Sequence, residues 1–221
     1  MQNQKPAGLL LSLFLIQSCS ILDEGSIAPG YVAAFDAVKN ILIKEENKDI
    51  TPELINRIPY ASAKLSIGNG TEGLVILESK RGEYETWVSA DSVFLVLKKG
   101  RIIQTAGLAN NLDDIYSDYD VNDYLEHEHL EFSSYYNYRN PELKNLKVQV
   151  SVTRIGFTEV KLFNGYQKLL MYEEIIRNKT LGWKAINQYF FNNEGILIKS
   201  KQSISPKLPS FYLEITKKPA I

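Results

Sequence analysis

The 221-residue chain is poor in the residues that most often carry chemistry. It holds one cysteine, Cys19, and two histidines, His127 and His129. A lone cysteine excludes an intramolecular disulfide, so an apolar core has to hold the fold together, and the length is sufficient for one. There is no Gly-x-Ser-x-Gly elbow and no glycine-rich phosphate loop. Neither sign of charge dominates: 25 Lys and Arg stand against 26 Asp and Glu. Without a basic cluster, that balance argues against a nucleic-acid partner. Long hydrophobic runs are missing as well. The one apolar stretch near the start, Ala7 to Ile16, falls short of the ~20 residues a membrane-spanning helix needs.

That stretch has another meaning in its context. Met1 to Pro6 is polar with one positive charge, Lys5, and the apolar run leads into Gln17-Ser18-Cys19-Ser20. A charged start, a short apolar core and a small residue before a cut site is the layout of a secretory signal. Ile16-Gln17-Ser18-Cys19 resembles the bacterial lipobox, with an aliphatic residue at −3 and a small one at −1. The chemistry requires the Cys19 sulfur, which takes a diacylglycerol as a thioether, and a small Ser18 so that a peptidase can close on the Ser18–Cys19 bond. Two or three acyl chains give durable anchoring where one is marginal. Residues 1–18 are thus expected as signal peptide and Cys19 as the lipidation site. Removal of Lys5, the only charge in the signal, takes the formal net charge from −1 to −2. In the resembling class Ser20, rather than Asp, sorts the protein to the outer membrane, with the domain facing the periplasm.

The remainder reads as a lipid-anchored tether, residues 19–30, followed by a single β-rich domain, residues 31–221. Val32, Phe35, Val38, Ile41 and Leu42 lie at helical spacing and predict a helix over 31–46. Thr51-Pro52 predicts the N-cap and first residue of a short helical turn. Beyond Pro59 the pattern turns to strands. Leu65 to Leu77 brackets the hairpin signal Gly68-Asn69-Gly70, and Lys99-Gly100, Asn164-Gly165 and Asn193-Glu194-Gly195 mark further turns. Strands are expected at 84–88, 93–97, 101–105, 130–138, 146–155, 157–163, 166–177, 182–191, 196–203 and 211–216. The fold class is mainly β: an antiparallel barrel or sandwich-like meander with a short N-terminal helix.

Candidate chemistry is sparse. Asp118-Tyr119-Asp120-Val121-Asn122-Asp123 starts like a calcium loop, but Asp123 stands where glycine is required and His129 where the bidentate glutamate belongs. It reads as a solvated acidic loop. Glu126-His127-Glu128-His129 has zinc-ligand residue types, yet a closed site draws its ligands from further apart. No metal, cofactor or catalytic residue is therefore assigned. Tyr116, Tyr119, Tyr124, Tyr135, Tyr136 and Tyr138 cluster in a short span. Amphipathic rings suit a carbohydrate face or a protein interface, and equally a packed strand face. Trp87 and Trp183 read as core aromatics, with Trp87 also a candidate sugar platform. Arg101, just after a turn, is placed to pair with Asp91 at the surface or with an anionic ligand.

Several stretches carry a family resemblance: Asn56-Arg57-Ile58-Pro59-Tyr60-Ala61-Ser62, Leu74-Val75-Ile76-Leu77, Trp87-Val88-Ser89-Ala90-Asp91, Lys99 to Leu108, and Trp183 followed by Tyr189 to Ile196. With the lipobox, their order and spacing resemble the YjbF/GfcB family of group 4 capsule polysaccharide lipoproteins. The segment Asp113 to Asn140 departs from the pattern and looks like an insertion. The resemblance implies a β-barrel of its own type, no established catalytic residues, and an accessory role in exopolysaccharide or capsule export. The partners so implied are the membrane, proteins of the export machinery, or the polymer itself. A barrel-type carrier or chaperone for a lipid or lipoprotein is the alternative, and requires a sizeable apolar cavity. A polysaccharide-modifying enzyme is a third, and requires convergent carboxylates in a cleft.

Overall fold

A computed structural model of the chain describes residues 50–218. The signal, Cys19, the tether and the helix expected over 31–46 lie outside the described residues. The domain opens with α1 (Pro52–Arg57), where Thr51 Oγ1 accepts the Leu54 N–H at 3.3 Å and Pro52 fills the first helical position. Twelve strands follow among the described residues: β1 (Ser62–Ile67), β2 (Gly73–Arg81), β3 (Tyr84–Ser89), β4 (Phe94–Lys98), β5 (Arg101–Ala106), β6 (Leu112–Ser117), β7 (His129–Tyr138), β8 (Leu143–Leu162), β9 (Gly165–Asn178), β10 (Trp183–Phe191), β11 (Leu197–Gln202) and β12 (Phe211–Lys217).

All are antiparallel neighbours in one sheet of order β5-β4-β3-β2-β1-β12-β11-β10-β9-β8-β7-β6. Pairing of β1 with β12 joins two meanders, and the free edges β5 and β6 come side by side to make a nearly closed barrel. No ladder joins those edges, so side chains satisfy their backbone groups, as buried peptide units require. Leu112 N–H donates to Thr105 Oγ1 at 2.9 Å. Gln202 reaches across to β5, accepting from Ile102 N–H at 2.9 Å and donating to the Gly100 carbonyl at 2.8 Å. A side-chain amide, with one donor face and one acceptor, stands in for the peptide unit of a missing strand.

Strand alternation sorts residues to the lumen. Trp87 from β3, Val148, Val150 and Val152 from β8, Tyr172 and Ile176 from β9, and Tyr189 and Phe191 from β10 all point inward and are buried. The lumen is therefore a packed core. The connection between β6 and β7, part of the segment that looks like an insertion, closes one mouth. It forms a 3-10 helix (Val121–Glu126) that buries Val121 and Tyr124 in the core. The expected solvated acidic loop is instead a plug. Asp120 at its start takes Lys98 at 3.1 Å and Lys99 at 3.4 Å from the β4–β5 turn, and Asp123 Oδ2 accepts the Asp120 N–H at 2.6 Å. At the other mouth, the loop between β11 and β12 is tied down where Tyr138 OH donates to the Ile204 carbonyl at 2.8 Å.

The outer face is partly covered too. Leu54 and Ile55 of α1, with Ile58 at its C-cap, pack on Leu74, Ile76 and Val88, so β2 is buried on both faces and reads Leu-Val-Ile-Leu without alternation. Strands expected separately at 146–155 and 157–163 are one strand, β8. A β-bulge between Arg154 and Gly156, with Gly156 at φ +107°, bends it without breaking its pairing to β9. Beyond the bulge, the β8–β9 hairpin folds outward as a strap over the barrel. Leu162 and Leu169 pack on Ile198, with Val160 and Phe190 alongside. Phe163 N–H donates to Glu214 Oε1 at 2.6 Å, and Lys199 Nζ to the Lys161 carbonyl at 3.0 Å.

Candidate functional site

Arg101 opens β5 with its side chain turned into the lumen, where it is 5% exposed. It meets Glu174, which alternation on β9 places inward between Tyr172 and Ile176. Arg101 Nη1 donates to Glu174 Oε1 at 3.3 Å, and Nη2 donates to Glu174 Oε2 and to Tyr124 OH. Tyr124 OH in turn donates to Glu174 Oε2. Asn187 Nδ2 donates to Glu174 Oε1 at 2.7 Å while its Oδ1 accepts the Ser203 N–H at 2.7 Å. The guanidinium lies 5.7 Å from the Tyr189 ring centroid and 5.9 Å from that of Tyr124. One carboxylate thus ties β5, β9, β10 and the plug together through charge-assisted bonds. The expected surface pairing with Asp91 is corrected: Asp91 accepts from Ser89 Oγ, and Arg101 faces inward because β5 enters the sheet with that parity. Glu174 is the residue sequence reasoning missed, although a carboxylate at the apolar parity of a strand was the available signal.

The aromatic candidates divide by the same parity. Tyr124, Tyr136, Tyr138 and Trp87 are fully buried, so a surface platform cannot include them. Tyr136 packs edge-on to Trp183 with centroids 5.8 Å apart. Burial holds the phenols of Tyr124, Tyr136, Tyr138 and Tyr189 above their usual value near 10. A phenol raised in the folded state contributes stability that is complete below its unfolded value and is lost as pH climbs above it. In a titration upward from about pH 9, the phenolate absorbance of these four should appear only together with loss of near-ultraviolet dichroism. Full ionisation of every tyrosine in a still-folded domain would contradict this.

The outer surface holds the rest. Tyr116 on β6 is 62% exposed and faces Tyr135 of β7, centroids 6.3 Å apart. Tyr119 is half-buried, 5.1 Å from Phe132. Sequence reasoning did not single out a groove of about 290 Å³ on the outer face of β1, β12 and β11. Tyr212, 39% exposed, lines it. Around the ring stand Lys64 paired to Glu72 at 2.5 Å, Lys199 paired to Glu214 at 3.1 Å, and Asn69. Lys201, directly opposite Tyr212 in the ladder, puts its ammonium 5.8 Å from the ring centroid. An aromatic face ringed by amide, carboxylate and ammonium groups can stack on a sugar ring and hydrogen-bond its hydroxyls.

The family model of the group 4 capsule polysaccharide lipoproteins GfcB and YjbF matches residues 35–217. The chain belongs to this family. Two relatives from Escherichia coli K12 agree. The uncharacterized lipoprotein GfcB is 28% identical over 111 residues, 48% of this chain and 47% of GfcB. The uncharacterized lipoprotein YjbF is 25% identical over 112 residues, 51% of this chain and 49% of YjbF. The matched stretch thus spans about half the length of these relatives. The crystal structure of the hypothetical lipoprotein YmcC from Escherichia coli K12 superposes with a TM-score of 0.70 at 15% identity, over 83% of this chain and 97% of that one. That likeness concerns the fold, and it shows the nearly closed meander to be shared.

Proposed function

We propose that this member of the family is a non-enzymatic accessory lipoprotein of capsule or exopolysaccharide export, anchored through Cys19 in the outer membrane with its domain in the periplasm, and that it engages the polymer on its outer face. The observation that carries the reading is the filled lumen. Eight bulky aromatic side chains, Trp87, Tyr124, Tyr136, Tyr138, Tyr172, Tyr189, Phe191 and Phe211, occupy the interior. That supports a binding surface on the outside and speaks against a carrier that needs an apolar cavity. The carboxylates most deeply buried, Glu174 and Glu214, are each held by a cation, which supports a non-catalytic role.

The groove at Tyr212 is the proposed polymer contact. Loss of the ring in Tyr212→Ala, combined with Lys201→Ala, should weaken retention of the purified protein on immobilised capsule polymer by about tenfold, the equivalent of ~1.4 kcal/mol. Loss of retention only in a Tyr116→Ala/Tyr135→Ala variant would move the contact to β6 and β7. A wild-type protein that ignores the polymer, in cells whose export is unchanged on deletion of the gene, would reject the function itself.

A further inference from the structure

The strap has a second face. Antiparallel pairing places Phe157 opposite Leu170, Glu159 opposite Lys168, and Lys161 opposite Tyr166, and residues so paired share a side of the ribbon. Leu162 and Leu169, on the other side, are buried against the barrel. Phe157 and Tyr166 are left 51% and 66% exposed, and Ile155 in the bulge 55%. Lys168 Nζ stands 5.8 Å from the Phe157 ring centroid. Three large apolar residues therefore face outward on one short hairpin, interleaved with two lysines and one glutamate.

We propose that this exposed face of the strap is a membrane-contact surface that seats in the headgroup region of an anionic bilayer. The composition selects that occupant. Aromatic rings flanked by lysines suit a lipid interface, where rings enter the acyl boundary and ammonium groups stay with the phosphates. The core of a protein interface is instead depleted of lysine. Lys161 and Lys168 outnumber Glu159, so the face carries a net positive charge that complements anionic lipid. Position supports the same occupant. Phe163 at the strap tip packs in one cluster with Ile50 and the α1 residues, so the chain that leads back to Cys19 enters the described domain beside the strap. A tether that joins the domain at that point lets this face reach the surface holding the anchor. The proposal rests on the lipid anchoring of Cys19.

The test uses the mature protein purified from membranes and reconstituted into phosphatidylcholine vesicles containing roughly one-third phosphatidylglycerol, with brominated acyl chains as quenchers. Trp87 and Trp183 are buried and set the background. Phe157→Trp and Tyr166→Trp each add an indole on the strap. Tyr116→Trp adds one on β6, which the ladder through Tyr135 sets level with Lys147, ten residues along β8 from Phe157. The expected result is at least twofold more quenching of the added strap indoles than of the one on β6, with emission shifted to shorter wavelength. Equal quenching at all three positions overturns the proposal. Intact mass of the same preparations reads the anchor separately: a mature protein without acyl chains rejects lipidation at Cys19, while quenching of the strap indoles still reports whether the face meets lipid.

Discussion

Glu174→Ala is expected to destabilise the domain by about 3–5 kcal/mol, because it strands the Arg101 guanidinium in the lumen without its counter-ion. Arg101 is 5% exposed and Glu174 fully buried, so water cannot replace the lost carboxylate. Asn187 Nδ2 and Tyr124 OH lose their acceptor in the same step. In chemical denaturation the midpoint should fall with the slope unchanged, and the thermal midpoint should drop by roughly 10 °C for a domain of this size. The pair can be separated from its packing. Arg101→Met/Glu174→Leu removes both charges and should recover at least half of the loss, with Tyr124→Phe recovering more by removing an unsatisfied hydroxyl. A double variant no more stable than Glu174→Ala alone would show that the cost lies in shape rather than in the unpaired charge. Because Tyr124 belongs to the plug, Glu174→Ala should also loosen residues 121–126 ahead of the rest of the barrel, which amide exchange would report as early loss of protection there.

The second large effect lies outside the described domain. Cys19→Ala removes the sulfur on which the thioether forms, so the variant should be neither acylated nor cleaved by the lipoprotein peptidase. Each acyl methylene buried in a bilayer contributes ~0.8 kcal/mol, and two or three chains make attachment durable. Wild type is expected in the outer-membrane fraction, with a mature mass that begins at Cys19 and includes the acyl chains. The variant is expected without them and without capsule export. A wild-type protein recovered soluble at an unmodified mass would reject the anchor and, with it, the orientation proposed for the strap.

Much of the barrel was legible in the sequence because alternation is a local signal. Val148-Gln149-Val150-Ser151-Val152 announces a half-buried strand, Asn164-Gly165 announces its turn, and Thr51-Pro52 announces α1. β6 escaped notice, since Leu112 to Ser117 has only Leu112 fully buried and otherwise reads as the acidic, tyrosine-rich start of an insertion. The same local signal failed at Gly156, where a glycine inside an apolar pattern looks like a break and is a bulge. Alternation gave no warning that the strand beyond it would fold outward, because that direction depends on what Leu162 and Leu169 find to cover them.

By itself the sequence determined that the domain is a β meander held together without disulfides, since strand period, turn residues and cysteine count are properties of the chain alone. The tyrosine cluster shows where that knowledge ends. Tyr116, Tyr124, Tyr135 and Tyr136 are near neighbours in sequence and chemically alike, yet two line the surface and two fill the lumen. Only the tertiary structure decided which, because facing depends on how β6 and β7 are registered in a closed sheet and on whether the plug inserts. Arg101 and Glu174 lie 73 positions apart. Their meeting depends on the barrel bringing β5 across from β9, a long-range consequence of closure that no local pattern encodes.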